Sequence, residues 1–141
     1  MKKNEKNNQK IEELTNQLKR ALADYQNLEK RTDEQKREWI LASNRSLVIK
    51  LLPVLDDLLL AQKHIQDEGL NLSIQKFINI LKDEGVDMID TKNGEFDPEK
   101  MECISVVAGE ENKVLEEVRI GFIMNDRVIR PAQVIVGGAG N

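Results

Sequence analysis

Cysteine occurs once in the 141 residues, at Cys103, and histidine once, at His64. A single thiol cannot close an intramolecular disulfide, and no cysteine-based metal site can be built around it, so a reducing compartment is expected. No metal ligation and no cofactor are expected. Aromatic residues make up only 4% of the chain, which suits helices and an interaction protein better than a deep ligand pocket. No apolar run reaches the roughly eighteen residues of a membrane-crossing helix. The opening MKKNEKNNQK has neither the apolar centre of a secretory signal nor the Arg/Ser bias of a transit peptide. Together these absences place the protein in the cytoplasm, with no membrane partner.

Groups able to do chemistry are also sparse. His64 falls at a helix end without an acidic or cysteine partner at ligand spacing, so a solvent-exposed or capping role is expected. Cys103 lies in a strand pattern and reads as a buried structural thiol. Asp56 and Asp57 are helix neighbours that point about 100° apart, too divergent to share a proton or a metal, and a solvated face is expected for them. The glycines at 137, 138 and 140 form a tail rather than a phosphate-cradling loop. No enzyme is expected. Residues 1–45 carry eleven Lys/Arg against eight Asp/Glu, and 46–141 carry ten against seventeen. Lys30, Arg31, Lys36 and Arg37 are offset by Glu29, Asp33, Glu34 and Glu38, so no nucleic-acid surface is expected.

What is present is periodicity. Ile11, Leu14, Leu18, Ala21, Tyr25, Leu28, Thr32, Gln35, Trp39 and Ala42 recur at alternating three- and four-residue steps, over more than thirty residues without Gly or Pro. A one-sided stripe on a long helix must be covered, and no other segment of the chain is long enough to cover it, so a homodimer is expected with Leu18, Tyr25 and Leu28 in its seam. Thr32 and Gln35 weaken that seam in the middle. We read residues 1–9 as a disordered tail, 10–45 as the coiled-coil-like helix and 46–84 as a helical dimerisation region. In 46–84 the wide stripe that includes Leu51, Leu55 and Leu58 suggests burial among several helices. Pro53 is expected to kink or restart the helix, and Asp67, Glu68 and Gly69 to form a turn. A second helix follows, with Leu70, Ile74, Phe77, Ile78 and Leu81 at helical spacing and Gly85 as its stop. Two such helices per chain make a central four-helix bundle in the dimer.

After Gly85 the period changes. GVDMID, MECISVV, VLEEVRIGFIM and RVIRPAQVIV are short, β-branched segments separated by turn material that includes KNGEFDPE, so 85–137 reads as a compact antiparallel β head and 138–141 as a frayed tail. Asn125 and Asp126 are a candidate two-residue turn, and Pro131 demotes the last strand to an edge or a bulge. The fold class is therefore α+β: long paired N-terminal helices, a central four-helix bundle in the dimer and a small β-rich C-terminal head. Arg127 and Arg130 on the last hairpin, beside Pro131, are suited to anchor an acidic partner surface.

YQNLEKR at 25–31, LLPVLDDLLLA at 51–61, EGVDMI at 84–89, GEFDPEKMECIS at 94–105 and GFIMNDRVIRPAQVIV at 121–136 resemble, in this order, the GrpE family of nucleotide-exchange factors. The resemblance implies a homodimer that binds the nucleotide-binding domain of a DnaK-type chaperone and promotes ADP release by favouring its open form. It further implies chaperone contacts at Arg127, Arg130, Pro131 and Val136, a bulk-sensitive glycine at Gly69, and a long-helix motif at Asn27, Lys30 and Arg31. Met101, Phe122 and Asp126 depart from residues common in the family, where histidine, tyrosine and glycine stand. A coiled-coil scaffold or tether with no exchange activity is the competing reading.

Overall fold

The computed structural model describes residues 1–92 and 94–139. The protein is α+β, and it divides into two compact units, residues 1–44 and 45–141. Helix α1 runs from Lys2 to Ile65. The tail expected at 1–9 is thus helical. Lys, Glu and Gln are good helix formers, nothing in the segment breaks a helix, and Glu5 in the first turn complements the helix dipole. Helix also continues through Pro53, with no restart. Val48 before the proline and Leu52 and Leu55 around it are buried in one core, so packing on both sides holds the axis where the ring removes one hydrogen bond.

Helix α2, Glu68–Asp83, is separated from α1 by two residues, Gln66 in the left-handed region at φ 54° and Asp67 as N-cap. The turn is therefore Gln66 and Asp67, whereas Glu68 and Gly69 already belong to the helix. The Asp67 carboxylate accepts the Leu70 N–H at 2.8 Å, which satisfies one of the free donors at the helix start. At the other end Gly85, at φ +80°, takes the left-handed position that closes α2.

Among the described residues six strands follow: β1 Val86–Met88, β2 Met101–Ala108, β3 Val114–Arg119, β4 Phe122–Met124, β5 Arg127–Arg130 and β6 Ala132–Gly138. They form two three-stranded sheets, in the orders β1-β4-β5 and β2-β6-β3. The first is antiparallel throughout. The second is mixed, because β6 runs parallel to β2 and antiparallel to β3, so the expectation of a wholly antiparallel head is corrected. Pro131 lies between β5 and β6, outside either strand, and β6 is the central strand of its sheet instead of an edge. A proline costs no ladder bond there, and Ala132 next to it donates its N–H to the Lys100 carbonyl at 3.1 Å. The turn before β2 is fixed by Asp97, whose side chain accepts the Glu99 N–H at 2.9 Å, with Pro98 between them. Asn93, within the expected KNGEFDPE turn, and Gly140 and Asn141, in the expected tail, lie outside the described residues. Strand β6 itself includes Gly138.

Two cores hold the second unit together. Val48, Leu52 and Leu55 of α1 pack with Ile74, Ile78 and Leu81 of α2 and with Val86, Phe122 and Met124 of the first sheet. Ile89, Met101, Ala132, Val134 and Val136 form the other. Each fully buried aliphatic side chain contributes roughly 1.5–3 kcal/mol. Leu55 is fully buried and Leu58 partly buried in the chain's own core, whereas Leu51 remains exposed. The wide stripe is wide because α2 and the first sheet cover part of it within one chain. Cys103, expected to be buried, is exposed, as is every residue of β2 after Met101. His64 is exposed in the last turn of α1.

Gly121 shows how tightly the sheets meet. A Cβ there would collide with the Ala132 backbone nitrogen and approach Ile89 Cδ1 to 2.7 Å. Gly121→Ala is expected to cost about 2 kcal/mol or more in head stability, because backbone cannot retreat as a flexible side chain can. A thermal melt within a degree of the parent would contradict this.

Candidate functional site: an arginine hairpin braced on helix α1

Strands β4 and β5 pair antiparallel with Met124 opposite Arg127, leaving Asn125 and Asp126 as a two-residue turn. Their φ values, 48° and 63°, are both positive, as a type I′ turn requires. Asparagine tolerates this conformation well and aspartate passably, so the tip forms without glycine. The Asn125 N–H donates to the Gly85 carbonyl at 3.2 Å, which ties the tip to the end of α2. Phe122 and Met124 anchor the hairpin from beneath, at 1% and 2% exposure.

On this frame the two arginines have different surroundings. Arg127 is exposed beside the tip, and its guanidinium has no side-chain partner among the described residues. Arg130, expected to be exposed, is only 11% exposed. Its Nη1 and Nη2 donate to Asp56 Oδ2 and Oδ1 at 2.6 and 2.8 Å. Its Nε and Nη2 also donate to the Ile120 carbonyl at 3.0 and 2.6 Å, and its guanidinium carbon lies 5.2 Å from the Phe122 ring centroid. This is the bidentate fork-to-carboxylate geometry with a ring against the guanidinium. Arg119 Nε adds a longer contact to Asp56 Oδ2 at 3.3 Å. Asp56 therefore does not lie on a solvated face. Position 56 shares the stripe of Leu52, Leu55 and Leu59 by helical spacing, whereas Asp57 falls outside it. An acid on an otherwise apolar stripe was the available signal that it needs a buried partner.

Of the other expected site residues, Pro131 is exposed at the base of the hairpin, whereas Val136 is 6% exposed and packs in the second core. Gly69 is exposed in the first turn of α2, where a Cβ would come within 3.1 Å of the Asp67 carboxylate. Bulk there crowds the N-cap. Asn27, Lys30 and Arg31 belong to the other unit, where all three are exposed and share a helix face by their spacing. Leu18, Tyr25 and Leu28, also in that unit, are 68%, 61% and 50% exposed, an apolar stripe that the chain itself leaves open. Among the described residues no helix is long and apolar enough to cross a membrane, and no His, Cys, Asp and Glu side chains are grouped to hold a metal ion.

A long helix with an open apolar stripe, and a helix-packed β head with an exposed cation beside the tip of a braced hairpin, define an α+β protein. The GrpE family profile matches residues 1–138. The protein called Protein GrpE in Methanosphaera stadtmanae is 35% identical over 133 residues, covering 89% of this chain and 77% of that one. Protein GrpE of Porphyromonas gingivalis is 34% identical over 146 residues, covering 90% and 75%, and that of Corynebacterium diphtheriae is 37% identical over 129 residues, covering 89% and 59%. This chain belongs to the GrpE family.

Proposed function

We propose that the chain is a homodimeric nucleotide-exchange factor that binds the nucleotide-binding domain of a DnaK-type chaperone and promotes ADP release during protein folding and the stress response. The observation that carries this reading is Arg127, exposed and without a side-chain partner among the described residues, on a hairpin anchored at its tip and base, in a chain of this family. A preset cation binds without first losing the conformational freedom of its loop, so its interaction energy goes to the complex. No bond is made or broken: an exchange factor acts by binding the open chaperone more tightly than the closed one, and its effect is limited by that difference. Pro131 extends the contact from the hairpin base. Val136 acts from within, holding β6 in place, and Gly69 acts through the α2 cap. Asn27, Lys30 and Arg31 supply a second contact along the helix. Leu18, Tyr25, Leu28 and Leu51 offer the exposed apolar surface for dimerisation, including the pairing of bundle helices across the two protomers. A reducing cytoplasm keeps the exposed Cys103 thiol free.

The test is the release of a fluorescent ADP analogue from a DnaK-type chaperone with and without this protein, together with its mass by light scattering. Accelerated release and about twice the 16.1 kDa chain mass are expected. A dimer that leaves the release rate unchanged would point instead to the tether.

A further inference from the structure

Asp56 carries an inference about how the hairpin is presented. It is the only acid that contacts Arg130 among the described residues, and it does so with both carboxylate oxygens. Arg130 in turn clamps the Ile120 carbonyl just before β4 and lies against Phe122, its opposite in the β4–β5 register. One guanidinium therefore joins three parts of the second unit: helix α1, the entry to β4 and the end of β5. Arg119, at the end of β3, reaches the same carboxylate from the other sheet. Arg130 cannot turn outward to a partner acid without giving up these bonds and leaving Asp56, on the apolar stripe, without its closest partner.

We propose that Asp56 is a positioning residue: through Arg130 it holds the β4–β5 hairpin on helix α1, so that Arg127 is presented in its binding orientation before any partner arrives. Arg130 is then a brace and Arg127 the contact. The inference rests on the exchange-factor reading for its binding arm only. Loss of the brace lets the hairpin sample other orientations, and the apparent affinity falls in proportion to the fraction that remains competent.

The experiment uses Asp56→Asn, Arg130→Lys and the double variant in the full chain. Asparagine keeps the shape but not the charge, and lysine keeps the charge but cannot fork to both carboxylate oxygens and the Ile120 carbonyl. Hydrogen exchange of the free protein is read for residues 122–130, and ADP-analogue release is titrated to saturation. Each single variant is expected to speed exchange within the hairpin, leave α2 and β6 protected, and raise the half-saturating concentration about tenfold at an unchanged maximum rate. The double variant is expected to be no worse than the worse single, because both remove one interaction. Unchanged hairpin protection, strictly additive effects, or faster exchange spread evenly over the chain would each overturn the proposal. If the parent protein itself leaves ADP release unchanged, the exchange-factor reading fails, and the hydrogen-exchange cycle still decides the brace.

Discussion

Arg127→Ala is expected to weaken binding to a DnaK-type chaperone about thirtyfold, equivalent to about 2 kcal/mol, while leaving the fold alone. Interface energy concentrates in a few arginine and aromatic anchors, and Arg127 is the hairpin cation with no side-chain partner among the described residues. Truncating it removes no core volume and breaks no side-chain bond among the described residues, so circular dichroism, mass in solution and melting should match the parent. Stimulated ADP release at limiting concentration should collapse. Lys113→Ala is the control, an exposed cation paired with Glu110 at 2.9 Å, and its effect should be small. Full release activity in the Arg127 variant would remove the hairpin tip from the contact and shift attention to Lys30 and Arg31.

Leu55→Ala should destabilise the second unit by about 3 kcal/mol, within the range for truncating a buried leucine that leaves a cavity. Leu55 is fully buried among residues of its own chain, with Ile74, Ile78 and Phe122 in the same core. The loss should therefore be the same at low and high protein concentration. Leu18→Ala and Leu28→Ala, on the open stripe, should instead change how the melting temperature depends on concentration, because folding linked to association follows mass action. Urea unfolding over a wide concentration range separates the two. A Leu55 variant whose deficit disappeared at high concentration would move that residue from the core to a dimer seam.

The α+β class, the second helix and the short strands were legible because their periods are distinct: steps of three and four residues before Gly85, alternation after it. The hairpin tip was legible too, since Asn-Asp between two β-branched runs is turn chemistry. Pairing direction was not. Nothing local in MECISVV says that β2 runs parallel to β6, because the partner is some thirty residues away and the choice is made by packing of the whole head. The two arginines could not be told apart from spacing, since Arg130 owes its burial to an aspartate 74 positions earlier. Helix boundaries erred in one direction. Proline and polar residues are local signals, whereas the length of α1 reflects packing on both sides of Pro53 and the absence, in its first turns, of any residue strong enough to end it.

The central place of β6 also sets an order in time. Among the described residues both β2 and β3 have β6 as their sole sheet neighbour, and β6 follows them in the chain. During synthesis the helices can form as they emerge, but β2 and β3 wait without a ladder until residues 132–138 have been made. In that interval Ile104, Val106, Leu115 and Val118, half exposed even in the finished fold, sit on unpaired strands. The second sheet then closes in one step, by long-range contacts that are slow to find. A chain cut short before residue 132 would thus have finished helices and an aggregation-prone, unclosed sheet.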